Sequence, residues 1–274
     1  MPKKPTHRNS LGGGLGKWWM IAWLVALSGA IGMAQPPKTL AVFNSASGTT
    51  MVAPGSIASA FGKQIGASTE AAHSLPLTTV LGGVSVSVMD SAKVSRLAPL
   101  FYVSPNQINF VVPDATATGM ATVTIMNGDA MPPSTTMMVT VVGPGLFTAN
   151  SRGTGVAAAI AIRRIIATQT DTEVPVFHCD ANGCASDPID LDDTSTVFLS
   201  LFGTGIRGRT SLANVSATVG GTSVQVLFAG DQGQFPGLDQ VNLMLPLTLK
   251  AKGETDVVLT VDGHVANTVR VNIH

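Results

Sequence analysis

The sequence predicts an all-β protein made of two similar β-sandwiches in series, and three observations carry that reading. The first is a signature written twice. Gly82-Gly83-Val84-Ser85-Val86-Ser87-Val88 leads to Gln107-Ile108-Asn109-Phe110-Val111-Val112-Pro113, and Gly220-Gly221-Thr222-Ser223-Val224-Gln225-Val226 leads to Gln240-Val241-Asn242-Leu243-Met244-Leu245-Pro246. The pattern Gln-x-Asn-apolar-x-apolar-Pro returns after 133 residues, from 107 to 240, and Phe61-Gly62 returns as Phe202-Gly203 after 141. Such a repeat means two copies of one structural plan. The second observation is composition: 29 Gly and 16 Pro, with only 12% charged and 5% aromatic residues. Val and Thr stiffen extended backbone, and Gly and Pro punctuate it. The third is rhythm. Short apolar runs recur between turn signals at roughly 10 to 15 residues, the spacing of an antiparallel sandwich.

Residues 1–34 read as a secretion signal. Lys3, Lys4, Arg8 and Lys17 form a basic leader without acids, Trp18 to Ile31 is uncharged and mostly apolar, and Gly32-Met33-Ala34 offers small residues for cleavage before Gln35. The alternative is an uncleaved anchor, since 20 uncharged residues separate Lys17 from Lys38 and a spanning helix needs about that many apolar ones. Ser28, Gly29, Gly32, Gln35, Pro36 and Pro37 erode its second half. No Cys follows the apolar stretch, so a lipid anchor is not expected. Of 16 basic and 16 acidic residues the leader holds four basic ones, which leaves 12 against 16, net −4, for the remainder. That balance argues against nucleic acid and anionic membrane surfaces as partners.

The first sandwich is expected over residues 39–143. Ala41-Val42-Phe43 starts it, Ala53-Pro54-Gly55 turns the chain, and Ser56 to Phe61 alternates with Ile57, Ser59 and Phe61 on one face. A loose Ser/Thr/His segment runs to Leu81. Strands follow at Val84–Val88, Leu100–Val103, Ile108–Val112, Ala121–Ile125 and Met137–Val142. Pro144-Gly145-Leu146-Phe147 is the joint. Four flexible residues reach only about 10 to 12 Å, so the two units should touch, with Leu146 and Phe147 buried at the contact. The second sandwich, residues 144–274, repeats the plan at Val197–Phe202, Val215–Val219, Val224–Phe228, Val241–Leu245, Val257–Val261 and Val269–Ile273. Ala157 to Thr168 reads as strand or hairpin. The last strand leaves no room for a sorting tail. An inserted loop, Gln169 to Asp193, carries Cys179, Cys184 and the acids Asp187, Asp190, Asp192 and Asp193. Strand number and spacing thus predict two tandem immunoglobulin-like β-sandwich domains.

Period-2 alternation places Ile108, Phe110 and Val112 on one face of the signature strand and Gln107, Asn109 and Val111 on the other. Val241, Leu243 and Leu245 match them against Gln240, Asn242 and Met244. The paired amides Gln107, Asn109, Gln240 and Asn242 read as structural groups that satisfy turn or edge backbone. A sugar- or peptide-binding strip is the sharper alternative.

Cys179 and Cys184 flank Asn182-Gly183, a turn pair, so in an exported chain they read as a disulfide clamping a hairpin tip. A metal site with His178 would need a second ligand pair that is absent. Gly203-Thr204-Gly205-Ile206-Arg207-Gly208 matches a dinucleotide fingerprint, but β-type sequence follows where a helix N-terminus is required, so the glycines read as a strand-end turn. The four Asp residues lack the alternating acid pattern of a calcium loop and read as solvated. None of His7, His73, His178, His264 and His274 sits in a nucleophile motif, no Gly-x-Ser-x-Gly elbow occurs, and Ser56 reads as a turn residue. No catalytic residue, cofactor or metal is expected.

The ordered motifs Ala53-Pro54-Gly55-Ser56-Ile57, Phe61-Gly62, Leu81-Gly82-Gly83-Val84, Ala98-Pro99-Leu100-Phe101-Tyr102-Val103-Ser104-Pro105, Pro144-Gly145-Leu146-Phe147-Thr148, Pro188-Ile189-Asp190-Leu191, Leu201-Phe202-Gly203-Thr204-Gly205-Ile206-Arg207 and Gly237-Leu238-Asp239-Gln240-Val241-Asn242, with the first signature strand, span about 39–274. Together they resemble the uncharacterised C-terminal domain family abundant in Solibacter and other Acidobacteria. That resemblance implies an exported tandem immunoglobulin-like module and no activity. The family usually follows larger secreted modules, whereas here the unit directly follows the leader. The expected function is a non-catalytic exported module for adhesion or for envelope or matrix interaction, located extracellularly, in the periplasm or on the cell surface. Its partner would be an envelope, glycan or protein ligand, with membrane contact only through an uncleaved leader. The alternative is a secreted hydrolase with a site on the 169–193 insertion, since loops on rigid sandwiches carry function.

Overall fold

The computed structural model describes residues 39–129 and 132–274; the leader lies outside them. The described chain is all-β. Its only helical turns are the two 3₁₀ segments Leu212–Asn214 and Leu247–Leu249. No helix among these residues is long and apolar enough to cross a membrane.

In the first half, two five-stranded sheets face each other. One runs Ala41–Asn44, Ile57–Phe61, Gln107–Val111, Leu100–Val103, Glu70–Ala71, in that spatial order. The other runs Met51–Val52, Ser134–Val139, Gly119–Met126, Ser85–Met89, Ser95–Leu97. Alternation fixes which residues meet between them. Ala58, Ala60, Ile108, Phe110 and Val112 point inward from the first sheet, and Val86, Val88, Val123, Ile125 and Val139 from the second, into one closed core.

The second half differs in construction. Nine strands form one continuous path: Asp171–Pro175, Ala159–Ile165, Ser195–Thr204, Asp239–Leu245, Thr222–Asp231, Val215–Val219, Gly253–Val261, Val269–Ile273, Pro188–Ile189. Gly145–Leu146 and His264–Val265 add to its flanks, which makes 11 strands. This sheet curls into a nearly closed, barrel-like form around its own core. The cause is the ten-residue strand Thr222–Asp231. Its start pairs with Val215–Val219 and its remainder with Asp239–Leu245, and a bulge between Val226 and Phe228 bends it. Bulged strands that pass from one layer to the next make corners. The matching Ser85–Met89 of the first half ends before it can cross, so there the two sheets stay separate.

The segment Gln169 to Asp193, expected as a loop, is largely strand. It holds Asp171–Pro175, the hairpin Phe177–Asp180 with Gly183–Ser186, and Pro188–Ile189. Its sequence is polar and its hairpin exposed, so no apolar period announces these strands.

A third cluster joins the halves. Ile57 and Val111 from the outer face of the first sheet pack with Phe147, Ala158, Phe202 and Leu238 of the second half. Phe147 is therefore at the contact, as expected. Leu146 is not: it is fully buried in the second half's own core, because pairing of Gly145–Leu146 with Gly203–Thr204 turns its side chain inward. The backbones approach closely here. A Cβ on Gly205 would lie 2.1 Å from the Gly143 carbonyl oxygen, and one on Gly203 2.4 Å from that of Gly145. The Gly203–Gly208 run is thus a strand end and turn pressed against the joint.

Elsewhere the turn Asp90–Val94 depends on one carboxylate. Asp90 is 2% exposed and accepts from the amides of Ala92, Val94 and Ala117 and from Arg96 Nη1 at 2.7 Å. The Ala117 and Val94 amides, with Arg96 and Ala92, hold its pKa down to about 2 against the opposing effect of burial.

Two outcomes follow. Full burial of a Phe side chain is worth about 1.5 to 3 kcal/mol, and each half keeps a core without Phe147. Phe147→Ser should therefore loosen the pair while leaving both cores folded; small-angle scattering from the variant should show a broader distribution of shapes, and an unchanged rigid profile would contradict the packed joint. For Asp90, the folded pKa lies below the unfolded one. Its contribution is therefore full above about pH 4 and is lost as pH falls toward 2. Urea midpoints measured between pH 5 and 2.5 should fall less steeply for Asp90→Asn than for the parent chain.

Candidate functional site

The two signature strands are paired in the same register. Ser59 lies opposite Asn109 and Phe61 opposite Gln107; Ser200 lies opposite Asn242 and Phe202 opposite Gln240. In both copies the Gln amide donates to the Asn carbonyl two residues on, Gln107 Nε2 to Asn109 Oδ1 at 2.9 Å and Gln240 Nε2 to Asn242 Oδ1 at 2.6 Å. Residues two apart on a strand share a face, which is what permits this bond.

The environments then diverge. Asn109 is fully buried and also accepts from the Ser59 hydroxyl at 2.9 Å, which in turn contacts Ser45 at 2.7 Å. The neighbouring Val111 and Ile57 on that face belong to the inter-half cluster. Gln240 and Asn242 remain partly accessible. Beside them, Phe228 pairs with Asn242 and Gly230 with Gln240. Phe228 is 38% exposed, because the bulge turns it to this outer face. Arg209 reaches the same place. A point just off the Gly230 Cα lies 3.6 Å from Phe228 Cζ and 3.7 Å from Arg209 Nη1. Arg209 Nε is buried and has no hydrogen-bond partner among the described residues. A ring, an amide pair and a guanidinium therefore share one open face of the second half.

The turn below this face is rigid. Asp239 is fully buried and accepts from the Ile206 amide at 2.7 Å and from Arg207 Nε at 2.8 Å. Burial raises its pKa, opposed by the Arg207 charge and the Ile206 and Arg207 donors. Thr204, also fully buried, accepts from the Ile57 amide at 2.8 Å and donates to the Gly237 carbonyl at 2.7 Å. One hydroxyl thus ties the first half to the turn of the second. Both residues fall within motifs quoted from the sequence, but nothing there assigns them these bonds.

The insertion presents its groups separately. Cys179 and Cys184 are directly opposite in the hairpin and disulfide-bonded, with Cα atoms 4.0 Å apart. Such a bond belongs to an oxidising compartment. His178 Nδ1 meets Asp187 Oδ1 at 2.6 Å on the exposed side, while the Ser186 hydroxyl is taken by Glu254. The Asp residues diverge: Asp190 faces His274 at 3.3 Å, and Asp192 binds Arg163 at 2.7 Å. The Thr194 and Ser195 hydroxyls, with the Thr194 amide and Arg163, hold the Asp192 pKa down to about 2 against burial. No group of three His, Cys, Asp or Glu among the described residues is placed to hold a metal. A shallow cleft of about 230 Å³ between Ile166, Leu191 and Leu247 borders this region, below the size at which small-molecule pockets usually begin, about 300 Å³.

No protein-family model matches this chain, and no curated protein does either.

The disulfide closes a very short loop, so it constrains little of the unfolded chain, about 2 kcal/mol in the chain-entropy picture. Reduction should raise hydrogen exchange in 177–186 while Ser195–Thr204 stays protected; loss of protection throughout the second half would show that the bond has a global role.

Proposed function

We propose that the chain is an exported, non-catalytic module of two tandem immunoglobulin-like sandwiches that binds glycan of a cell envelope or matrix through the open face of its second half. The observation that carries the reading is the contrast between the copies. The same strand register and the same Gln-to-Asn bond occur twice, yet Asn109 is fully buried in the first copy whereas Asn242 stays partly accessible beside Phe228 in the second. Aromatic rings pack on the apolar faces of sugar rings, amides donate and accept at hydroxyls, and a buried donor without a partner gains from one. Each amide uses only part of its hydrogen-bonding capacity in the Gln240–Asn242 bond. Resemblance to the Acidobacterial family, the basic and apolar leader, and the disulfide of an oxidising compartment support export. The curled sheet of the second half is a modified sandwich in this reading, its two layers joined by the bulged strand Thr222–Asp231.

The test is a glycan array and an envelope-polysaccharide pull-down with protein lacking residues 1–34. Phe228→Ala and Arg209→Ala should each weaken the best ligand by about tenfold or more, as central interface residues do. Asn109→Ala, at the fully buried position of the first copy, should destabilise the fold and leave the affinity of folded protein unchanged. Equal binding by the parent and both second-half variants would remove this face from consideration.

A further inference from the structure

A second surface, unrelated to the amide face, is marked by methionine. Met51 and Met138 are register partners in the parallel pair of Met51–Val52 with Ser134–Val139, and Met138 and Met120 are partners in the antiparallel pair with Gly119–Met126. The three thus stand side by side across adjacent strands. Their chain neighbours Val52, Val139 and Ala121 point into the first core, so the three thioethers project from the opposite, outer face. Met120 is 52% and Met138 39% exposed, and Met51 is half-buried. Other outward positions on these strands carry Thr122, Thr124, Ser134 and Thr136, with a further methionine, Met126, at the far end of its strand. Strand propensity favours such β-branched residues over Met, and exposed Met is open to oxidation. Neither sheet formation nor core packing accounts for three of them in register.

We infer that Met51, Met138 and Met120 form a binding site for a soft monovalent cation, Cu(I), held by three thioether sulfurs. Adjacent strands lie about 4.8 Å apart. Methionine is unbranched, with three rotatable side-chain bonds, so on binding the outer two side chains can bend over the central one to bring three sulfurs to one ion. Thioethers are soft, neutral ligands; they select Cu(I) and leave Mg²⁺ and Ca²⁺ to oxygen ligands. No cluster of three His, Cys, Asp or Glu among the described residues competes for a harder ion.

The experiment is competition for Cu(I), kept reduced by ascorbate, between protein lacking residues 1–34 and a chromophoric chelator. The protein should withdraw a single equivalent. Leucine preserves the volume of methionine, and the positions are on the surface, so Met120→Leu and Met138→Leu retain the fold; circular dichroism checks this. Each should weaken Cu(I) binding by more than about tenfold, the scale on which even supporting residues at metal sites act. Met244→Leu, in the second half, should bind as the parent does. Silver(I) should shift the methyl resonances of Met51, Met120 and Met138 and leave that of Met244 in place. A protein that takes no Cu(I) from the chelator, or Leu variants that bind as tightly as the parent, would overturn the site without touching the glycan reading.

Discussion

Two stretches of backbone pass each other at Gly143–Gly145 and Gly203–Gly205 with no space for a Cβ between them. Most of what relates the halves is organised around this crossing. The Gly143 amide donates to the Gly205 carbonyl at 3.0 Å, and the Gly143 carbonyl accepts from the buried Asn44 amide at 2.8 Å. Thr204, between the two glycines, bonds to Ile57 of the first half, and Ile206, just beyond, is fixed by Asp239. Phe147, Phe202 and Leu238 then fill the space on either side. A side chain at Gly205 would push these elements apart together, because they share one contact. Arg209 leaves the same turn toward the open face, while Arg207 turns to the buried Asp239 beneath it, so the geometry of that face is tied to a contact on the far side of the strand.

The two copies show how one pattern supports two outcomes. Serine opposite asparagine and phenylalanine opposite glutamine are the same pairings in both halves. In the first copy the second half packs on the neighbouring Ile57 and Val111 of this face, and Asn109 is fully buried. In the second copy the equivalent face is only partly covered, near Phe202, and its free end carries Phe228 at the bulge. In the proposed reading, a repeated structural amide pair and a binding strip are not competing descriptions of the motif; each belongs to one copy, according to what lies above it.

Much of the strand pattern was legible because burial imposes period 2: Ile108, Phe110, Val241 and Leu243 announce their faces, and Asn182-Gly183 announces the hairpin that the cysteines close. Strands of two residues, such as Met51–Val52 and Glu70–Ala71, were not, since their partners are far along the chain and two residues hold no period. Asp171–Pro175 was missed because it is an exposed edge with charges, the composition that guards a sheet edge. Phe147 lies between the halves, but nothing in Leu146-Phe147 says which of the two enters the second core. The proposed site was half legible. Gln240 and Asn242 stood out, whereas Phe228 and Arg209 became neighbours only through the bulge and the turn, neither of which the sequence marks.

Asn267 carries a final consequence. Its side chain accepts from the Leu146 amide and donates to the Leu146 and Gly153 carbonyls, each at 2.8 Å, acting as a short piece of strand against the joint. The strand just after it, Val269–Ile273, lies between Gly253–Val261 and Pro188–Ile189. The first core uses nothing beyond Val139. A chain emerging from its N-terminus can therefore complete one half early, but the other must wait with its sheet unclosed until residues near 270 arrive.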